Sequence, residues 1–205
     1  MFPPHTRLGG RFVEAVAWVT ELHADQPGKG GRDIPYVSHL LAVAALTLED
    51  GGDETDAVIA LCHDAVEDQG GDVALAEIHR RFGPEVADAV ALLSDGRGEP
   101  PVPWRERKER LLAQLRSSVA TERVLRVAAA DKLDNARTLL ARLDREGARA
   151  WEHREAAPED YVWFYRSAGA ILAERYPGSA NVALLERTVA ELAAWVPPGQ
   201  LARPA

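Results

Sequence analysis

The stretch Ala60-Leu61-Cys62-His63-Asp64-Ala65-Val66-Glu67-Asp68 decides how the rest of the chain is interpreted. A histidine and an aspartate stand side by side in an otherwise apolar run, and burying such groups costs free energy unless something pairs with them. If the run is helical, Glu67 and Asp68 lie one turn beyond His63 and Asp64 on the same side. Four polar groups at one helix end require a cation or a water-filled cleft.

Helical periodicity dominates outward from this stretch, and no convincing alternating strand is present. Glycine and proline punctuate the ends of the predicted helices. These helices span residues 9–24, 38–49, 55–68, 73–82, 84–93, 103–119, 121–146, 158–175 and 179–195. We therefore predict an all-α fold with one domain over residues 1–196 and a disordered tail at 197–205. Residues 26–35 and 94–103 are predicted to be functional loops.

Composition limits the class of protein. The 205 residues, 46% hydrophobic and 27% charged, are typical of one globular domain. The net charge of -8 argues against nucleic acid as a partner, and no apolar run approaches the ~20 residues that span a membrane. No signal peptide is visible, and the single cysteine, Cys62, fits a reducing compartment. These features predict a cytoplasmic protein and leave its oligomeric state open.

A second group of polar residues lies in the predicted helix 121–146. Asp131 follows an apolar run, and Asn135 and Thr138 lie four and seven residues further on, so the three side chains share one helical face. A solvent-exposed stripe is the plainer interpretation of this segment alone. Asp131 becomes a candidate ligand in combination with the 60–68 stretch.

Two imidazoles and two carboxylates from different parts of the chain can together hold a divalent metal. The candidate ligands are His39, His63, Asp64 and Asp131. A single cysteine argues against the common structural zinc sites, whereas mixed imidazole and carboxylate ligation suits Mn²⁺ or Fe²⁺. Glu67 and Asp68 are then candidates to hold or deprotonate a water molecule. Taken alone, His39 at a helix start is more typical of a capping or core residue.

Four segments carry a family resemblance. Residues 63–68 match the pattern H-D-x-V-E-D, and residues 23–39 match H-x-x-Q-x-x-K followed by P-Y-x-x-H. Residues 82–86 match F-G-x-x-V, and residues 130–139 match A-D-[KR]-L-x-N-x-R-x-L. Taken in their order along the chain, the four segments resemble the HD superfamily of metal-dependent phosphohydrolases, and within it the RelA/SpoT-type small alarmone hydrolases. The resemblance covers roughly residues 10–175.

The resemblance implies an HD-type bundle of about nine to ten helices and a Mn²⁺-dependent hydrolase, with Fe²⁺ or another divalent metal as the alternative cofactor. Such enzymes use a metal-activated water to remove the 3′-pyrophosphate of guanosine tetraphosphate or pentaphosphate (ppGpp or pppGpp). The four candidate ligands would bind the metal, and Glu67 and Asp68 would be the catalytic acids. Lys29, Asn135 and Thr138 would bind the nucleotide substrate.

Three positions depart from the family pattern. Gly28 stands before Lys29 where an arginine is usual, Gln69 replaces a common threonine, and Asp134 replaces a histidine or tyrosine on the nucleoside side of the site. One cation fewer weakens pyrophosphate binding, since a charge-assisted contact contributes ~1.5–3 kcal/mol. An HD-type phosphatase or pyrophosphatase for another nucleotide, such as NADPH or a nucleoside phosphate, is therefore an alternative. A non-catalytic nucleotide-binding regulatory module is a third, although it predicts a broken ligand set.

Overall fold

Helices account for nearly all of the secondary structure in the computed structural model, which describes residues 7–28, 32–95, 102–152 and 154–196. In chain order the α-helices of these residues are α1 (Gly10–Leu22), α2 (Val37–Glu49), α3 (Glu54–Cys62), α4 (Ala65–Asp68), α5 (Gly71–Phe82), α6 (Pro84–Leu93), α7 (Trp104–Arg116), α8 (Glu122–Glu146), α9 (Pro158–Arg175) and α10 (Ala180–Ala193). A 3-10 helix at Gly147–Trp151 follows α8. The prediction of an all-α fold is confirmed. The tail predicted at 197–205 lies outside the described residues, and the domain range 1–196 stays a prediction.

Helix α3 and the middle part of α8 lie at the centre, because apolar residues occupy most of their faces there. Every residue from 56 to 62 in α3 is buried, and α8 is buried continuously from Val127 to Leu133. The small side chains of Ala128, Ala129 and Ala130 in this part of α8 leave room for α2, α3, α6, α9 and α10, which all contact the helix. This burial carries the polar residues of both helices into the interior. Within the described ranges, no helix combines the length and apolar character needed to cross a membrane.

The predicted helix 55–68 is interrupted at His63 and Asp64. Helix α3 ends one residue before His63, and α4 begins one residue after Asp64. The His63 Nδ1 atom donates to the carbonyl oxygen of Ala60 at 2.7 Å, so the side chain occupies the acceptor that a continuing helix would give to the backbone N–H of Asp64. The prediction of one continuous helix is wrong for this reason. The other predicted helices agree with the observed ones to within three residues at each end.

A short antiparallel hairpin stands in place of the predicted loop between α1 and α2. Its strands are β1 (Pro27–Gly28) and β2 (Arg32–Pro35). Strands of two and four residues are too short to display the alternation that reveals a strand in a sequence. Gly28 is required at its position, because a Cβ atom there would lie 2.6 Å from Cγ1 and 3.1 Å from the carbonyl oxygen of Ile34.

The core of α8 provides a test of stability that is separate from the polar residues. Leu143 is fully buried near the end of α8 and lies twelve positions, more than three turns, beyond Asp131. Leu143→Ala is expected to lower the free energy of unfolding by ~2–5 kcal/mol, because it removes buried contacts and leaves a cavity. Urea denaturation followed by circular dichroism measures this change. A loss below ~1 kcal/mol would show that this end of α8 repacks around the smaller side chain.

Candidate metal centre

The four predicted ligands come together from three places in the fold. His39 lies in the first turn of α2, His63 and Asp64 lie between α3 and α4, and Asp131 lies in the middle of α8. The Nε2 atom of His39 is 3.3 Å from Asp64 Oδ2 and 3.4 Å from Asp131 Oδ1. The Nε2 atom of His63 is also 3.3 Å and 3.4 Å from the same two oxygens. Two imidazole nitrogens and two carboxylate oxygens thus converge on one point.

These separations and donor types fit a divalent metal. Ligand atoms bound about 2.1 Å from one metal at angles of 90–110° lie about 3.0–3.4 Å apart. Donor atoms of His39, His63 and Asp131 lie within 4.8 Å of one another. The fourth residue, Asp64, is buried like the other three and adds its Oδ2 atom beside both imidazoles. No thiolate joins the set, because Cys62 is buried and burial raises the pKa of its thiol. Nitrogen and oxygen donors of this kind suit Mn²⁺ and Fe²⁺.

Both imidazoles are held so that Nε2 faces the centre. The Nδ1 atom of His63 donates to the carbonyl oxygen of Ala60 at 2.7 Å. The Nδ1 atom of His39 lies 2.7 Å from Asp134 Oδ2, and a carboxylate can only accept, so Nδ1 carries the proton. In the neutral form of each ring the lone pair is therefore on Nε2, where it can bind a metal once the competing proton is displaced. Asp134 was expected on the nucleoside side of the site, whereas its carboxylate lies behind the candidate ligand His39.

The two ligand carboxylates are oriented by polar neighbours. The Tyr36 hydroxyl donates to Asp64 Oδ2 at 2.6 Å. The Asn135 amide donates to Asp131 Oδ1 at 2.5 Å, and the Lys132 ammonium donates to Asp131 Oδ2 at 2.5 Å. Asn135, predicted to bind the nucleotide, thus supports a ligand carboxylate. Such outer contacts fix the direction in which a ligand atom points.

The electrostatics of the centre favour a positive charge. Burial disfavours the charged imidazole of His63, but Asp64 and Asp131 outweigh that effect and raise its pKa to about 10. Burial by itself would raise the pKa of Asp131, yet Lys132 and the two histidines hold it well below its usual range. A site that retains a proton so strongly also attracts a metal cation, which competes with protons for the same lone pairs.

Glu67 belongs to a carboxyl pair that the sequence did not reveal. The carboxyl group of Glu67 contacts that of Asp95. Desolvation by the surrounding protein, the contact with Asp95 and the nearby charge of Asp64 raise the pKa of Glu67, although part of the side chain stays exposed. Asp95 is buried and forms an ion pair with Lys108. Burial would raise the pKa of Asp95, but the hydrogen bond from Glu67 and the charge of Lys108 lower it. The contact therefore raises the pKa of Glu67 and lowers that of Asp95, so Glu67 is the group of the pair that holds a proton more readily.

Asp68 lies in a different environment from Glu67. The Gln26 amide donates to Asp68 Oδ2 at 2.8 Å. The Oε1 atom of Gln26 is in turn 2.5 Å from the Gln69 amide and 2.7 Å from His23 Nδ1. The carboxylate of Asp68 is exposed and held from the start of the hairpin. The acidic pair of the sequence thus consists of one group with a raised pKa, Glu67, and one exposed carboxylate that accepts a hydrogen bond, Asp68.

The remaining predicted substrate contacts are not assembled by the described residues. Lys29 lies outside them, as do residues 96–101 of the loop predicted at 94–103. Thr138 is half-buried on α8, two turns from Asp131 on the same face. The roles of Asp95 and Lys108 beside the centre were missed, because no local spacing connects the segment after α6 with the middle of α7. Lys132 follows Asp131 directly, but the sequence does not show that its ammonium turns back to that carboxylate.

The amino-acid sequence matches a known domain family and several named proteins. The HD domain family model matches residues 15–156, a range that contains all four candidate ligands. The Drosophila melanogaster protein named guanosine-3′,5′-bis(diphosphate) 3′-pyrophosphohydrolase MESH1 is 30% identical over 65% of this chain and 72% of its own length. The Homo sapiens protein of the same name is 33% identical over 75% of this chain and 80% of its own length.

The fold also matches a solved structure. That structure is described as a metazoan orthologue of SpoT that hydrolyses ppGpp. It superposes with a TM-score of 0.73 at 23% sequence identity and covers 93% of this chain and 99% of the other. The helical fold of this chain is therefore one that a known protein shares.

Proposed function

We propose that this chain, which belongs to the HD domain family in the branch of the MESH1-type 3′-pyrophosphohydrolases, removes the 3′-pyrophosphate of guanosine tetraphosphate or pentaphosphate. Water attacks the phosphorus atom bound to the ribose 3′-oxygen, and the bond between these two atoms breaks. The products are pyrophosphate and GDP or GTP. The observation that carries the proposal is the convergence of two imidazoles and two carboxylates at 3.3–3.4 Å.

We propose Mn²⁺ as the metal and His39, His63, Asp64 and Asp131 as its ligands. The absence of a thiolate donor from this set supports a metal harder than those that prefer sulfur. When bound, such a metal polarises a phosphoryl oxygen and lowers the pKa of water. The outer contacts from Tyr36 and Lys132 keep the ligand carboxylates in place while substrate binds.

The acidic pair divides the proton transfers. Asp68 has an exposed carboxylate oriented by Gln26, and it accepts the proton of the attacking water. Glu67 shares a proton with Asp95 and is suited to hold that proton towards the ribose oxygen as it departs. Lys108 keeps Asp95 ionised, so that the shared proton stays on Glu67.

We propose that the nucleotide is bound by Lys29, which follows β1 in the sequence, and by Asn135 and Thr138 from α8. The Lys29 ammonium pairs with phosphate charge, which the net charge of -8 would otherwise repel. Asn135 and Thr138 lie on the face of α8 that carries Asp131, so the nucleoside would rest beside the ligand carboxylates.

A cytoplasmic enzyme with a small nucleotide substrate is the setting we propose. The free Cys62 is compatible with a reducing compartment, and the acidic composition disfavours nucleic acid. The oligomeric state stays open.

The experiment that tests the function is hydrolysis of guanosine tetraphosphate by the Mn²⁺-loaded protein, with NADPH and GTP assayed beside it. We expect pyrophosphate and GDP in equal amounts. Phosphate release from NADPH without turnover of guanosine tetraphosphate would instead support the alternative nucleotide phosphatase. No turnover of any nucleotide by metal-loaded protein would favour a binding module.

Lys29→Ala is expected to raise KM for guanosine tetraphosphate about tenfold or more and to change kcat little, because one charge-assisted phosphate contact contributes ~1.5–3 kcal/mol to binding. Steady-state kinetics measure both constants, and Arg80→Ala on the exposed side of α5 is the matched loss of a cation. An unchanged KM would mean that the hairpin does not hold the substrate. Gly28→Arg offers no gain of affinity, since the hairpin has no room for a Cβ atom at that position.

A further inference from the structure

The hydrogen bond between His39 and Asp134 joins α2 to α8 directly behind the metal centre. Asp134 lies three residues after Asp131, so α8 presents both carboxylates to α2 from neighbouring positions. The distance from His39 Nδ1 to Asp134 Oδ2 is 2.7 Å. The His39 side chain is fully buried, and that of Asp134 is 19% exposed. An imidazole with one nitrogen on this carboxylate has little freedom to rotate or to change tautomer.

We propose that Asp134 is a positioning residue of the metal centre, which acts through His39 to raise the affinity of the ligand set for a divalent metal. The inference rests on the proposed function, because it takes His39 as a ligand. Asp134 is not one of the converging donors. Its carboxylate accepts a hydrogen bond from Nδ1 of His39, whereas the Nε2 atom of the same ring faces Asp64 and Asp131.

The physical effect has two parts. A carboxylate accepts the Nδ1 proton, so the lone pair of the neutral ring stays on Nε2 and no energy is spent on changing tautomer when metal binds. The negative charge also makes the imidazole more electron-rich, which strengthens its bond to a cation. His63 receives only the first effect, because its Nδ1 atom donates to the neutral carbonyl oxygen of Ala60. The two histidines are thus unequal ligands, and His39 is the one that depends on a charged partner.

A purely structural role for Asp134 makes a different prediction. As a tie between α2 and α8, it would contribute to the stability of the metal-free protein and leave the affinity of the folded protein for metal unchanged. Helices α2 and α8 also pack against each other elsewhere, and both contribute fully buried apolar side chains, among them Leu40, Val43 and Leu133. Metal affinity and metal-free stability therefore separate the two roles.

The test is calorimetric titration of the full-length, metal-stripped protein with Mn²⁺, for wild type, Asp134→Ala, Asp134→Asn and the control Asp144→Ala. Asp144 is an exposed aspartate further along α8, so its removal changes the net charge equally. Loss of a contact behind a metal ligand typically weakens binding by about 10–100-fold, which is the increase in Kd expected for Asp134→Ala. Asp134→Asn keeps an acceptor oxygen without the charge and is expected to lie between alanine and wild type. Asp144→Ala should bind as wild type does.

Thermal unfolding of the metal-free variants completes the test. We expect Asp134→Asn and wild type to unfold at similar temperatures while they differ in Mn²⁺ affinity. Equal Kd values for wild type and both Asp134 variants would overturn the inference and leave the proposed function standing. Failure of the wild-type protein to bind Mn²⁺ at all would overturn the metal centre of the proposed function, and this inference with it.

Discussion

His63→Ala and Asp131→Ala are each expected to abolish both bound metal and turnover of guanosine tetraphosphate. Each change removes one of four donors whose nitrogen and oxygen atoms lie 3.3–3.4 Å apart, and a three-donor remnant loses most of its affinity. Removing Asp131 also leaves the buried Lys132 without its ion-pair partner. Metal content after dialysis, measured by mass spectrometry, and release of pyrophosphate are the two readouts. Both should fall to background together.

Two further variants distinguish loss of metal binding from loss of the fold. Asp131→Asn preserves the shape of the side chain and an acceptor for Asn135, so a folded but metal-poor protein is expected. His79→Ala removes an exposed histidine on α5 and should leave metal content and rate unchanged. Full turnover by a variant that holds no metal would rule out the proposed mechanism.

Glu67→Gln is expected to keep the metal but to lower kcat by ~10²-fold or more, the usual contribution of a general acid or base. An amide has nearly the same shape and can still hydrogen-bond to Asp95, which Lys108 holds in place. It cannot exchange a proton with the reaction at neutral pH. The variant therefore removes proton transfer while leaving the position of the side chain intact, and kcat should fall much more than KM rises.

The control for this prediction is Glu106→Gln on α7. Glu106 is about half exposed and forms an i,i+4 pair with Arg110, a contact that contributes little to stability. Its loss of charge should change neither constant. Equal rates for Glu67→Gln and wild type would remove Glu67 from the mechanism and leave Asp68 as the sole candidate acid or base.

The sequence by itself determined the helical fold class, the family and a short set of candidate ligands. Helical periodicity and helix-ending glycines are local properties, so they can be recognised along the chain without knowledge of contacts. The family patterns are local too, each lying within one or two consecutive elements. The pairing of His63 with Asp64 in an apolar run indicated a cation site for a similar reason, since burial of both groups without compensation is costly. The two-residue and four-residue strands of the hairpin were beyond this kind of inference because they are too short to display a recognisable alternation of polar and apolar residues.

Only the tertiary structure decided which polar groups stand behind the candidate site. His39 and Asp134 are 95 positions apart, and Tyr36 and Asp64 are 28 apart, yet both pairs are in hydrogen-bonding contact. The union of Glu67, Asp95 and Lys108 likewise depends on how α4, α6 and α7 meet. The sequence around a residue indicates whether its side chain is polar and buried, but the packing of the helices determines which partner that side chain contacts. For that reason the break between α3 and α4, the hydrogen bond behind His39 and the contact of Glu67 with Asp95 became visible only in the folded chain.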